Sequence, residues 1–96
     1  MPATLSSSNG QTVLGPHIVK IGRISDNQLV LSDPTVSAHH AEIRPQGQGY
    51  VIVDLGSITG TFLNGQRLER NVARFLKSGD TIRIGATTFT YYNDIK

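Results

Sequence analysis

The chain has 96 residues, a formal net charge of +2 and no cysteine. That length suits one domain with a real but modest core, and without thiols there is neither a disulfide framework nor a thiolate metal site. No apolar run is long enough to span a bilayer, no signal-peptide pattern stands at Met1, and the Lys and Arg residues are scattered rather than striped, so membrane insertion and nucleic-acid binding are not expected and a cytoplasmic setting is.

Residues 1–10 form a Ser-rich lead, weakly ordered or an edge strand at Ala3–Ser6, with a turn signal at Ser8-Asn9-Gly10. Gln11–Leu14 is expected to pair back against it, until Gly15-Pro16 breaks the strand. Ile18–Ile21 alternates and reads as half-buried; Gly22 ends it and Arg23 opens a polar loop. Gln28–Leu31 is β-prone, Ser32-Asp33-Pro34 is a turn, and a second polar loop runs to His39. Were Gln28–Leu31 to pair with Ala41–Ile43, the two loops would fall at opposite ends, and the sheet would have to curve to bring Arg23 near Ser37.

His40–Arg44 alternates, Gln46–Gly49 is a hairpin loop and Tyr50–Val53 is strongly β-prone. A third polar loop follows over Asp54–Thr61, then a short strand at Thr61–Leu63 and a strong hairpin signal, Asn64-Gly65. Glu69–Phe75 is ambiguous between a helical turn and extended chain, with Asn71 and Val72 favouring the latter. Ser78–Asp80 turns, Thr81–Ile84 alternates, Gly85-Ala86 turns again, and Thr87–Tyr92 is the last β-rich run. No segment carries a helical stripe, so the expectation is an all-β sandwich or barrel. The expected domain is single, 1–96, with 11–92 as its core.

Catalytic patterns are missing: no nucleophile elbow, no P-loop and no paired carboxylates, so an enzyme is not expected. Adjacent His39 and His40 on a strand would point to opposite faces, and His17 is remote in sequence, so no metal or other cofactor is expected.

Four stretches taken together resemble the forkhead-associated (FHA) family. They are Gly22-Arg23, Val36–Ile43 (Val-Ser-x-x-His-Ala-x-Ile), Asp54–Gly65 (Asp-Leu-Gly-Ser-x-x-Gly-Thr-x-Leu-Asn-Gly) and Gly79–Gly85 (Gly-Asp-x-Ile-x-Ile-Gly), in order and at the right spacing. The resemblance covers about Leu5 to Tyr91. It implies an FHA/SMAD-like antiparallel β-sandwich of two sheets and about eleven short strands, whose loops bind phosphothreonine peptides. The implied partner is a phosphothreonine-containing protein, and the implied role is Ser/Thr-kinase-dependent signalling, within a larger protein or complex.

Carried onto this chain, the resemblance makes Arg23 and Ser37 the phosphate-binding residues. A guanidinium fork and a short hydroxyl suit a dianion with three strong acceptor oxygens. It makes His40 a loop brace and sets Gly60 at the end of the third loop; read from the residues themselves, Gly22 ends a strand, Asp54 fixes loop geometry as an acceptor for nearby amides and Asn64 provides a turn, all of them structural supports. The peptide side of the site falls on Thr35, Ala38, His39, Ile58 and Thr59. Three of these depart from the family: Ile58 replaces a threonine that donates to phosphate, Thr59 replaces an asparagine that holds the peptide backbone, and Ala38 stands where arginine or asparagine is common. Thr35 predicts weak selectivity at the third residue after the phosphothreonine, without demand for an acidic one.

Blander readings stand beside these. Arg23 could pair with Asp26 or Asp33, and Ser37 could bond its own turn. His39 could line a groove or be exposed, and Ile58 could contact peptide or cap the core. A module that keeps the fold without phosphate dependence is the rival function; a β-rich enzyme or nucleotide-binding domain is a weaker one.

Overall fold

The computed structural model describes residues 3–8 and 10–93. The expected turn at Asn9 and the extreme termini lie outside the described residues. Among the described residues there are eleven strands: β1 (Ala3–Ser7), β2 (Gly10–Leu14), β3 (Val19–Gly22), β4 (Leu29–Val30), β5 (Ala41–Gln46), β6 (Gly49–Asp54), β7 (Thr61–Leu63), β8 (Gln66–Arg67), β9 (Arg74–Phe75), β10 (Thr81–Ile84) and β11 (Thr87–Asn93). Among the described residues there is no helix. The strands make a six-stranded sheet ordered β2-β1-β11-β10-β7-β8 and a five-stranded sheet ordered β4-β3-β5-β6-β9.

Alternation decides what goes inside. Ile82 and Ile84 of β10 are fully buried while Thr81 and Arg83, which alternate with them, are exposed. Buried Leu5, Leu63, Phe89 and Tyr91 join Ile21, Ala41, Ile43 and Ile52 in one core. Each large apolar side chain so buried contributes roughly 1.5–3 kcal/mol. Tyr50 laces the sheets together: its hydroxyl bonds the carbonyls of Leu14 (3.0 Å) and Gly15 (2.8 Å), and its ring meets Tyr91 edge-on at 6.2 Å.

Two expectations are corrected and one ambiguity is resolved. The lead is no edge: β1 lies between β2 and β11, with Ala3 and Leu5 each 1% exposed, and β2 is the edge instead. The β-prone run Gln28–Leu31 shortens to Leu29–Val30 and does not pair with β5, because β3 sits between them. It pairs parallel to β3, Ile21 opposite Leu29 and Gly22 opposite Val30. No curving of the sheet is needed: β3 and β4 run the same way, so the loops that follow them leave from one end. The ambiguous 69–75 stretch is extended chain, with Arg70 bridging Asp54, Asn71 at a φ of 60° and β9 after it.

The antiparallel partners set the rim. β5 starts where β3 ends, since Ile21 faces Ala41, and β6 returns to that level, since Ala41 faces Asp54. Thr61 faces Ile84, which places the Gly85-Ala86 turn beside the start of β7. The Asn64-Gly65 hairpin, with φ values of 51° and 85°, forms as expected at the other end of β7.

Candidate functional site

Arg23 follows Gly22 directly and is exposed. Its backbone N–H donates to the Ser37 carbonyl at 3.0 Å, and its Nε–H donates to the Val36 carbonyl at 3.0 Å. The two bonds fix the stem and the inner edge of the guanidinium, and leave both Nη groups without a protein partner among the described residues. No described carboxylate pairs with Arg23. Asp33 is occupied elsewhere, accepting from the Thr35 amide (2.9 Å), the Thr35 hydroxyl (2.7 Å) and the Ala86 amide (2.9 Å). Those donors, the Ala86 amide first, hold the Asp33 carboxyl below its ordinary pKa.

Ser37 reaches across to the third loop rather than to its own turn. Its Oγ accepts from the Ile58 amide at 3.2 Å, which leaves the hydroxyl proton to be donated outward. His40 sits beneath, 0% exposed, and uses both ring nitrogens. Nδ1 accepts from the Ser37 amide at 3.1 Å, so the proton belongs on Nε2, which donates to the Gly60 carbonyl at 2.8 Å. One buried neutral imidazole thereby joins the second loop to the third.

The third loop folds around Asp54. Its Oδ1 accepts from the hydroxyls of Ser57 (2.5 Å) and Thr61 (2.7 Å); its Oδ2 accepts from the amides of Gly56 (3.1 Å) and Ser57 (3.2 Å). Burial works to raise this carboxyl's pKa, but the Ser57 and Thr61 hydroxyls and the two amides outweigh it and hold it below the usual value. At the tip, Ile58 is 83% exposed, so it does not cap the core. The Thr59 hydroxyl donates to the Thr35 carbonyl at 2.8 Å, so its proton is turned into the rim and its oxygen remains an acceptor.

The expected residues are therefore brought to one rim, with one exception. Arg23, Thr35, Ser37, Ala38, His39, His40, Ile58, Thr59 and Gly60 belong to loops tied together there, and Gly22 and Asp54 are the last residues of β3 and β6 from which two of those loops leave. Asn64 supports the far hairpin instead, accepting from the Thr81 amide (2.9 Å) and donating to Asp80 (3.0 Å). His39 is exposed, its Nδ1 3.3 Å from Asn27 Oδ1. Among the described residues no three metal-binding side chains cluster.

Two contributors went unread. Asn27, 6% exposed, donates from Nδ2 to the carbonyls of Ile24 (2.8 Å) and Ala38 (2.7 Å), pinning the first loop to the second. Nothing in its spacing separates it from an ordinary turn asparagine. Arg67 on β8 donates to the Ile58 carbonyl at 3.3 Å, and lies where a Cβ on Gly60 would stand, 2.7 Å from its Nε. Beside the rim an open hollow of about 380 Å³ is lined by Asp33, Thr35, Thr59, Arg83, Gly85 and Ala86.

The FHA domain family model matches residues 19–85, most of the chain and all three loops. The chain belongs to the forkhead-associated family. It is 34% identical over 90 residues to an oxoglutarate dehydrogenase inhibitor of Corynebacterium jeikeium, covering 94% of this chain and 60% of that protein. It is 38% identical to the structure of Mycobacterium tuberculosis EmbR in complex with a low-affinity phosphopeptide, with a TM-score of 0.88, covering 95% of this chain and 24% of EmbR. A structure from work on phosphothreonine-dependent FHA domain interactions is 31% identical with a TM-score of 0.88, covering all of both chains. The chain thus spans less than two thirds of the inhibitor and of EmbR. Ile58 and Thr59 are both open to solvent and Ala38 is half-buried, whereas the bracing residues Asn27, His40, Asp54 and Gly60 are buried.

Proposed function

We propose that this FHA domain is a non-catalytic reader of phosphothreonine in partner proteins, with Arg23 and Ser37 as the phosphate clamp. The observation that carries the proposal is the single fixture holding the two. Arg23 is bonded to the backbone of Val36 and Ser37, and the Ser37 hydroxyl is oriented by the Ile58 amide. A dianion placed there meets two free Nη groups and one free hydroxyl proton, and hydrogen bonds to charged groups contribute roughly 1.5–3 kcal/mol each. The phosphopeptide complex of EmbR and the phosphothreonine-dependent interactions studied with the fully overlapping FHA structure support the reading. Ile58 brings no side-chain donor, so affinity is expected to be micromolar, about −8 kcal/mol.

The partner is then a phosphorylated protein in Ser/Thr-kinase signalling, and the setting is cytoplasmic. The domain works within a larger protein or complex, as its relatives' greater lengths suggest. The test is calorimetry with matched phosphorylated and plain threonine peptides, repeated with Arg23→Ala. Only the phosphorylated peptide should bind, and the variant should lose more than tenfold. Equal binding of the two peptides would leave the rival reading, an interaction module independent of phosphate.

A further inference from the structure

The outer face of the six-stranded sheet carries an uncompensated charge. None of its strands contains an aspartate or glutamate, yet β8 and β10 each present one arginine outward. The register places three side chains abreast on that face: Arg67 opposite Phe62, and Phe62 opposite Arg83. The Arg83 guanidinium lies over the Phe62 ring, its carbon 4.2 Å from the centroid, an arrangement that orients the group and dehydrates one face of it. Its Nη1 reaches only the Gly85 carbonyl, at 3.4 Å. No described carboxylate pairs with either arginine. The charged ion pair that the fold does make, Glu42 with Arg44, is on the other sheet.

The strip is continuous with the rim. Arg67 bonds the Ile58 carbonyl, and Arg83 lines the hollow that Asp33, Thr35 and Thr59 also line, the Asp33 carboxylate there being engaged by the Thr35 amide and hydroxyl and the Ala86 amide. We propose that the Arg67–Phe62–Arg83 strip docks acidic residues flanking the phosphothreonine, and so makes this domain selective for acidic phosphorylated segments. The argument is charge complementarity: two unpaired guanidiniums on a face without carboxylates, one of them preoriented on an aromatic ring, beside a site for a dianion. It assigns to β10 and β8 a selectivity that Thr35 alone does not provide. A single nucleic acid strand would also meet positive charge here, but two arginines beside a phosphate clamp fit a short acidic peptide flank better than a continuous polyanion track. The inference rests on the phosphothreonine reading above.

The test uses four peptides on the intact domain. One is phosphorylated with neutral flanks, one is its unphosphorylated twin, and two carry Asp and Glu on one side or the other of the phosphothreonine. The first two test the phosphate reading alone. At low salt, one acid-flanked peptide should bind about fivefold tighter than the neutral one, the combined effect of two exposed ion pairs. Arg83→Met should abolish most of that ratio. Lys20→Gln, which removes one positive charge from the outer face of the other sheet, should leave it intact. The proposal is overturned if neither acid-flanked peptide gains, if Arg83→Met preserves the ratio, or if Lys20→Gln erases it equally. It is also overturned if an oligothymidylate competes for the strip while acidic flanks bring no gain.

Discussion

Gly22 shows how closely single atoms are spaced under the clamp. A Cβ there would collide with the Ala38 carbonyl oxygen and stand 2.7 Å from Asn27 Nδ2. That oxygen already accepts from Asn27, and the residue after Gly22 is Arg23, so a displaced carbonyl moves the first and second loops apart. Gly22→Ala is therefore expected to cost about 1–3 kcal/mol of stability, the usual range for overpacking a tight site. It should also weaken phosphopeptide binding although it touches no ligand. Chemical denaturation beside a peptide titration measures both; a variant that binds as the parent does would show that the loops accommodate the methyl. Asp54 and His40 work in the same way at the other loops, each spending its polar atoms on loop groups.

At the scale of elements, β1 changes most between expectation and structure. It pairs on both sides, Leu5 opposite Thr12 and opposite Tyr91, and Leu5 is 1% exposed. Leu5→Ala should cost about 2–5 kcal/mol in a denaturant melt, whereas a loosely held lead would lose under about 0.5 kcal/mol. The strand itself was readable, but its central place was not, because nothing local in the Ser-rich lead announces the pairing with β11 at the other end of the chain. The partner of β4 was hidden for a related reason. A parallel pairing to β3 leaves no local hairpin signal, and only Leu29–Val30 hold the ladder. What was legible was local or patterned: the hairpins at Gly47-Gln48 and Asn64-Gly65, the alternation in β10, and the motif residues of the three loops. Asn27 and Arg67 were not legible, since their work depends on the Ala38 and Ile58 carbonyls, 11 and 9 residues away in the chain.

For the whole molecule, acid should act in two separate stages. The second proton of a phosphothreonine titrates near pH 6, and the monoanion left below that is held less strongly by a guanidinium than the dianion. Binding should therefore weaken first, between about pH 7 and 5, with the fold intact. The protein's own stage comes later and has the opposite origin. Asp33 and Asp54 both have folded pKa values held below the ordinary one. Their contribution to stability is complete above the unfolded carboxylate value, about 3.9, because both states are then ionised and only the folded one gains the hydrogen bonds. As pH falls past that value the unfolded chain takes up protons before the folded one, and the contribution is lost by the time the pH has passed below the folded values. The part of the urea midpoint that these two carboxylates supply should thus hold from pH 7 to about 5 and be lost below about 4. Asp54→Asn should start lower at neutral pH, since an amide places a donor where four donors already converge, and should decline less steeply in acid. A gap between the parent and Asp54→Asn midpoints that already narrows between pH 7 and 5 would show that the contribution is not the carboxylate's, and the two-stage account would fail.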